Sequence, residues 1–284
     1  MKKNEVLINK IAILLTVFNR KEKTLTCLNT IFKQVLSSDY LFKVYMVDDG
    51  STDGTAEEVK IKFPSVQVIK GDGNLYWNRG MHTAWKKAAE DSIYDYFLWL
   101  NDDTYLQENA FSLMLNSSKK MNDTSIICGA TTNMDKTKTT YSGTQKVGGK
   151  LLDPNGSLQK CEIFNGNFVL VPKSVYKVLG NLDWTFRHAI GDFDYALRAK
   201  ASNINCFLAP EYIGICESNP TLPKWCLPQT PLLDRFKILY SPLGYADPIP
   251  FFIYEKRHFG TLTAIKHFLS INLRAFIPSL WKKK

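Results

Sequence analysis

Strand-length apolar runs alternate with amphipathic stretches through the first hundred residues. Residues 11–17 (Ile-Ala-Ile-Leu-Leu-Thr-Val) are apolar at almost every position, as a parallel strand covered on both faces requires. Leu25, Leu28, Ile31, Phe32 and Val35 then recur at spacings of three and four, which puts one apolar stripe on a helix, and residues 44–47 begin the next strand. This is the pattern of a βαβ unit. Ser51, Thr52 and Asp53 offer caps for a short helix that runs through Phe63 and stops at Pro64, and residues 66–69 supply a third strand. A glycine-bearing loop over 71–78 leads to a helix with Met81, Ala84, Trp85 and Ala88 on its apolar face. Residues 96–100 form a strand running straight into Asn101-Asp102-Asp103.

Beyond Asp103 the alternation loosens. The pattern predicts a helix near 107–119, a strand at 126–131, hairpins or a mobile loop across the polar, glycine-rich stretch 135–156, a strand at 168–171 and a short helix at 172–179. Residues 192–202 read as a helix with Phe193, Leu197 and Ala201 toward the core. From about Asn219 prolines at 220, 223, 228, 231, 242, 248 and 250 break the chain, after which 251–281 has an apolar, basic helical character. The expected division is an α/β domain over 1–218 and an appendage over 219–284, in a chain of 284 residues without internal repeats.

The formal charge of +9 favours anionic partners, be they nucleic acid, a phosphorylated substrate or an acidic membrane surface. Six cysteines (Cys27, Cys128, Cys161, Cys206, Cys216, Cys226) show neither a CxxC pair nor zinc spacing and read as reduced thiols. Residues 1–10 lack the apolar stretch and cleavage site of a secretory signal, and 11–17 is too short to span a bilayer. The expected location is cytoplasmic, with room for peripheral contact at the inner face of a membrane.

Two acidic clusters, Asp48-Asp49 and Asn101-Asp102-Asp103, follow apolar strand-like runs. In an open α/β sheet, ligands bind in the crevice beyond the carboxyl ends of the strands, and carboxylates gathered there chelate Mg²⁺ or Mn²⁺. A nucleotide-using enzyme is the leading expectation.

Five segments arrive in a telling order: Thr16-Val17-Phe18-Asn19-Arg20, Val47-Asp48-Asp49-Gly50-Ser51-Thr52-Asp53-Gly54, Gly73-Asn74-Leu75-Tyr76-Trp77-Asn78-Arg79-Gly80, Leu100-Asn101-Asp102-Asp103-Thr104, and Gly191-Asp192-Phe193-Asp194-Tyr195-Ala196-Leu197-Arg198. Together they resemble the inverting family 2 glycosyltransferases of the GT-A fold, of the bacterial surface-polysaccharide, rhamnosyltransferase-like type. The resemblance covers roughly residues 11–215. It implies a Rossmann-like, mostly parallel sheet with flanking helices, a donor half at about 1–104, an acceptor half at about 105–218 and a C-terminal helical appendage.

By that resemblance Thr16, Phe18, Arg20, Asp48, Asp49, Asn74, Arg79, Gly80 and Asp102 line the donor site, and Asp103 holds a divalent cation, Mn²⁺ or Mg²⁺. A diphosphate leaving group concentrates negative charge, which an oxygen-bound cation neutralises. An inverting transfer needs one base on the acceptor side, and Asp192 takes that role, with Asp194 as substitute if the register slips. Gly191 departs from the family's usual glutamate. Other readings stay open: Phe18 as core, Asp48 to Asp53 as a turn and helix cap, Asp192 as an N-cap, Asp194 as the i+4 partner of Arg198, and Tyr76 or Trp77 as core rather than stacking platforms. His188 receives no role.

The expected partners are a UDP- or dTDP-linked sugar, a glycan or lipid-linked acceptor, and either a membrane surface, the catalytic domain or a second subunit for the basic C-terminal helix. A sugar nucleotidyltransferase is the competing enzyme, but residues 18–21 lack the glycine-rich phosphate loop it needs. Nucleic-acid binding finds no supporting motif, since the cations are dispersed.

Overall fold

Both faces of β1 (Asn9–Val17) are covered, which explains its unbroken apolar run: Ala12 and Leu14 enter one core, while Ile11, Ile13, Leu15 and Val17 enter the other. The computed structural model describes residues 8–218, 222–244 and 246–280. After β1 come α1 (Lys21–Phe32), β2 (Tyr40–Asp48), α2 (Thr55–Lys62), β3 (Gln67–Lys70), α3 (Tyr76–Asp91) and β4 (Tyr96–Leu100). The strands β3, β2, β1 and β4 lie side by side and all parallel. Their carboxyl ends therefore share one edge, where Phe18, Asp49 and Asn101 begin the loops.

The second half adds β5 (Tyr105–Leu106), α4 (Ala110–Lys120), β6 (Ile126–Thr132), β7 (Thr139–Tyr141), β8 (Gly143–Thr144), β9 (Gln159–Cys161), β10 (Ile163–Phe164), β11 (Phe168–Pro172), α5 (Lys173–Leu179), α6 (Gly191–Ala201) and β12 (Cys206–Ile215). The sheet continues β4-β11-β6-β12-β5, with β11 antiparallel to both neighbours and β12 parallel to β6. On one face α3, α5 and α6 bury an aromatic core around Trp85, Trp99 and Tyr195; on the other, α1 and α4 cover Leu28, Ile31, Phe111 and Met114. This is the mixed α/β architecture that the apolar pattern implies.

Two elements differ from the sequence expectation. The strand β12 is absent from it, because Pro210 and Glu211 interrupt the apolar run; they fall where the β12–β6 register shifts, between Leu208 and Tyr212. The helix α3 starts at Tyr76, inside the stretch read as loop over 71–78. The segment 135–156, expected as hairpins or a mobile loop, holds short strands: β7 pairs antiparallel with β6, and β8 with β10.

C-terminal helices α7 (Leu232–Leu239), α8 (Pro248–Phe259) and α9 (Thr261–Phe276) follow. The helix α7 rises inside the stretch where the prolines predict interruption: Pro231 sits at its N-cap, a position that needs no amide hydrogen. Asp247 caps α8 by accepting from the Ile249 amide at 3.2 Å, with Pro248 in the first turn. Gly260, at φ +89°, breaks the expected single helix into α8 and α9. The helices α7 and α9 share a small core of Leu239 and Ala275 with Trp225 and Cys226, and Tyr254 of α8 joins Phe186, Ile190 and Leu197 of the α/β domain. All six cysteines are free and buried. Residues 219 and 220 at the expected boundary, and Trp281 to Lys284, lie outside the described residues.

Candidate active site

The loops at the carboxyl edge are tied to one another through side-chain to backbone hydrogen bonds. After β1, the Asn19 amide donates to Ser51 Oγ at 2.9 Å, and Asn19 Oδ1 accepts from the Thr52 amide at 2.7 Å. Asp53 accepts from the Lys21 amide at 3.0 Å and from Thr55, so it caps the loop as well as α2. Phe18, at the mouth of this wall, is 53% exposed and thus no core residue.

At the end of β2 the two aspartates have different tasks. Asp48 Oδ1 accepts from the Ser51 amide at 2.8 Å, and no other hydrogen bond to its carboxylate occurs among the described residues. Asp49 accepts from the amides of Gly73, Leu75 and Tyr76, each at 2.9 Å, and so pins the loop that opens α3. Gly80 lies in α3 where a Cβ would stand 2.1 Å from Thr16 Oγ1, so it lets the helix close onto β1. Asn74 is exposed, and its carbonyl accepts from Arg187 at 3.4 Å. Arg79 donates Nε to the Trp184 carbonyl at 2.8 Å, with its guanidinium over the Trp184 ring.

The β4 end gathers the charges. One nitrogen of Arg20 contacts Asp102 Oδ1 and Asp103 Oδ2, both at 2.9 Å, and Thr24 Oγ1 reaches Asp102 at 3.4 Å. Burial pushes the Asp102 carboxyl up to about 6 against the pull of Arg20. Asp103 keeps 22% of its side chain exposed. Among the described residues no three His, Cys, Asp or Glu side chains gather into a complete metal site. A cation of the Mg²⁺ or Mn²⁺ kind is nonetheless commonly held by one or two carboxylates plus phosphates and water. The accessible oxygens of Asp103 fit that donor set, in competition with Arg20.

Across the crevice, Asp192 occupies the first turn of α6. Its Oδ2 accepts from the Gly166 amide at 2.8 Å and its Oδ1 from the Phe193 amide at 2.9 Å; burial pushes the carboxyl up to about 6. The residue after Gly166, Asn167, directly ahead of Phe168 on β11, accepts at its carbonyl from the Asn101 amide at 3.0 Å. Asn101 Oδ1 in turn accepts from Trp77 Nε1 at 2.7 Å. Asp192 is thus joined to the Asn101-Asp102-Asp103 turn through a short backbone path, and Trp77 serves as a strut in it rather than as an open platform. Asp194, fully buried, faces the other way: it binds Arg198 at 2.9 Å, Arg257 at 2.7 Å and His258 at 2.8 Å. Burial would raise its pKa, but His258 and the two arginines hold it below the usual carboxylate range.

Two residues carry more than the sequence disclosed. Arg187 places its guanidinium over the Tyr76 ring at 5.1 Å, and its buried Nε has no hydrogen-bond partner among the described residues. His188, half-buried near Arg20, is held down to about 4 by desolvation and by that cation, so its ring is neutral at pH 7. Both line a cavity of about 200 Å³ closed on the far side by Asp247, Ile249 and Ile253. Only the fold brings α8 to them, and nothing local in residues 185–190 signals it.

Comparison with known proteins agrees with this fold. The profile "Glycosyl transferase family 2" matches residues 12–180, well over half of the chain. No curated protein matches it. Among solved structures, the mannosyltransferase PcManGT from Pyrobaculum calidifontis, in complex with GDP-Man and Mn²⁺, superposes with a TM-score of 0.55 at 12% identity over 97% of this chain and 81% of its own. GalNAc-T7 with UDP, GalNAc and Mn²⁺ gives 0.58 at 13% identity over 95% of this chain and 56% of its own. TarS 1–349 from S. aureus with UDP gives 0.56 at 13% identity over 88% of this chain and 72% of its own. The chain spans little more than half of GalNAc-T7 and 43% of the longer TarS chain. The architecture is that of the GT-A glycosyltransferases, and the protein belongs to glycosyl transferase family 2.

Proposed function

We propose that this glycosyltransferase moves a hexose or rhamnose from a UDP- or dTDP-linked donor to a hydroxyl of a glycan or lipid-linked acceptor, with inversion, during assembly of a surface polysaccharide. The observation that carries the reading is the position of Asp192: a carboxylate raised to about 6, fixed by backbone amides and linked to the acidic turn after β4. In this reading Asp48 and Phe18 meet the nucleoside and Asp102 the ribose or the cation, while Arg20 and Arg187 face the diphosphate. Asp103 is the residue that would hold Mn²⁺ or Mg²⁺, which when bound neutralises charge on the departing diphosphate.

Asp192 takes the acceptor's hydroxyl proton as that oxygen bonds to the anomeric carbon. The bond from that carbon to the phosphate oxygen breaks on the opposite face, and the nucleoside diphosphate leaves with its electron pair. A base near 6 is deprotonated at pH 7 yet basic enough to help. The test is calorimetric titration with UDP, dTDP, GDP and CDP, with and without Mn²⁺, on the wild type and on Asp103→Ala. Metal-dependent binding of one nucleotide, lost in the variant, supports the donor site. Failure of all four to bind overturns it.

A further inference from the structure

The helix α9 is apolar on two opposite faces, and the fold covers only one of them. Ala264, Ile271 and Ala275 point inward, Phe268 meets the Phe252 ring of α8 at 6.0 Å, and Ile271 packs on the Trp225 core. On the other side Leu262, Ile265, Leu269, Leu273 and Phe276 recur at spacings of three and four, which aligns them in one stripe. Leu262 is 85% exposed, Leu269 63% and Leu273 51%, while at the end of the stripe Phe276 meets the Phe236 ring of α7 at 4.7 Å and stays 57% exposed. Large aliphatic groups in register along a whole helix are unlike the scattered surface leucines of an ordinary monomer.

Charge identifies what covers them. From Lys256 to the C-terminus the sequence has no Asp or Glu, and besides Arg257, which Asp183 and Asp194 already engage, it holds Lys256, Lys266, Arg274, Lys282, Lys283 and Lys284. A two-fold dimer through this face would set the stripe and its cations against their own copies, which repel. An anionic bilayer surface complements both the apolar stripe and the positive rim. At 16 residues α9 is roughly 24 Å long, and no described helix is long and apolar enough to cross a membrane. It suits lying in the interface plane.

We propose that the outer face of α9 docks the protein on an anionic phospholipid membrane, with Leu262, Ile265, Leu269, Leu273 and Phe276 in the headgroup and acyl boundary. The docking is independent of the proposed donor and base, none of whose residues lies on α9.

The test is flotation of the full chain with phosphatidylcholine vesicles, with and without phosphatidylglycerol, at low and high salt. The expected result is binding that needs phosphatidylglycerol and weakens with salt. The variant Leu269→Ser with Leu273→Ser, which keeps every charge, should lower partitioning at least about tenfold, and Lys266→Glu should lower it less. A wild type that stays unbound overturns the proposal. So does a serine variant that floats as well as the wild type, since charge alone would then hold the protein, or a wild-type dimer that the serine variant dissociates without any vesicle affinity. Nucleotide titration of the same serine variant keeps the two readings apart, because the donor site should respond as in the wild type.

Discussion

The side-chain oxygen of Asn78 lies 1.7 Å from the place where a Cβ on Gly191 would stand. The two residues are a matched pair between α3 and α6: the asparagine occupies the volume that a side chain at 191 would take. Its Nδ2 donates to the carbonyls of Asp183 and Phe186, both at 2.8 Å, and so ties down the loop before α6. The glycine where the family resemblance leads one to expect glutamate is thus a packing solution. Gly191→Ala should destabilise the fold by roughly 1–3 kcal/mol. Gly191→Glu should do at least as much harm rather than restore anything. Urea denaturation of Gly191→Ala, Asn78→Ala and the double variant checks this, because relief of the clash should make the double variant cost less than the sum. Strict additivity would disprove the pairing.

The pH dependence of transfer should report Asp192. A base with its pKa raised to about 6 works when deprotonated, so kcat/KM should be level above about pH 7 and fall roughly tenfold per pH unit well below 6. Asp192→Asn should lower transfer by roughly 10²–10⁴-fold and leave nucleotide affinity unchanged. Stability runs in the opposite sense. The folded pKa lies above the unfolded value near 3.9, so between about 6 and 4 the native state binds more protons and Asp192 becomes less destabilising as pH falls. Across that window the wild type should gain stability relative to Asp192→Asn, read from paired melts. A rate that stays level down to about pH 4.5 removes Asp192 from the base role.

Arg257 fastens α8 to the α/β domain through Asp194 and Asp183, each at 2.7 Å. Asp194 would keep Arg198 and His258 if Arg257 were lost, so Arg257→Ala should cost roughly 1.5–3 kcal/mol and not unfold the chain. Arg257→Lys should recover only part, since one ammonium does not reproduce a fork that spans two carboxylates. An unchanged melting temperature in Arg257→Ala would show that apolar packing around Tyr254 suffices to hold α8.

Much of this fold was legible because the parallel strands are buried on both faces and so appear as unbroken apolar runs, each ending in a polar, acidic turn. Asp48, Asp102 and Asp103 stand out for that reason, as polar groups at the ends of apolar runs, whereas Asp192, in the first turn of a helix, came only from the family resemblance. The strand β12 did not, since its apolar run is broken at Pro210 and Glu211 where the sheet register shifts. The helix α7 was hidden by prolines that begin helices as readily as they end them. Arg187 and His188 gain their surroundings from α8, some sixty residues further along the chain, so no local spacing could announce them. Asp49 shows the converse limit: its position at the strand end was plain, but its three bonds to the backbone of the loop before α3 depend on how that loop returns.

The reversed direction of β11 has a consequence for how specificity can change in this protein. Because β11 runs against β4 over the five pairs from Phe168–Leu100 to Pro172–Tyr96, its beginning, not its end, reaches the edge where β4 finishes. Gly166 and Asn167 therefore meet Asn101 by the arithmetic of strand pairing, in which one step of slippage would displace them by about 3.3 Å and invert every side chain. The spacing between leaving group and base becomes a property of the sheet and is insulated from the loops around it. The mostly exposed stretch 145–157 is then free to vary toward new acceptors while the span across which a sugar must travel stays constant.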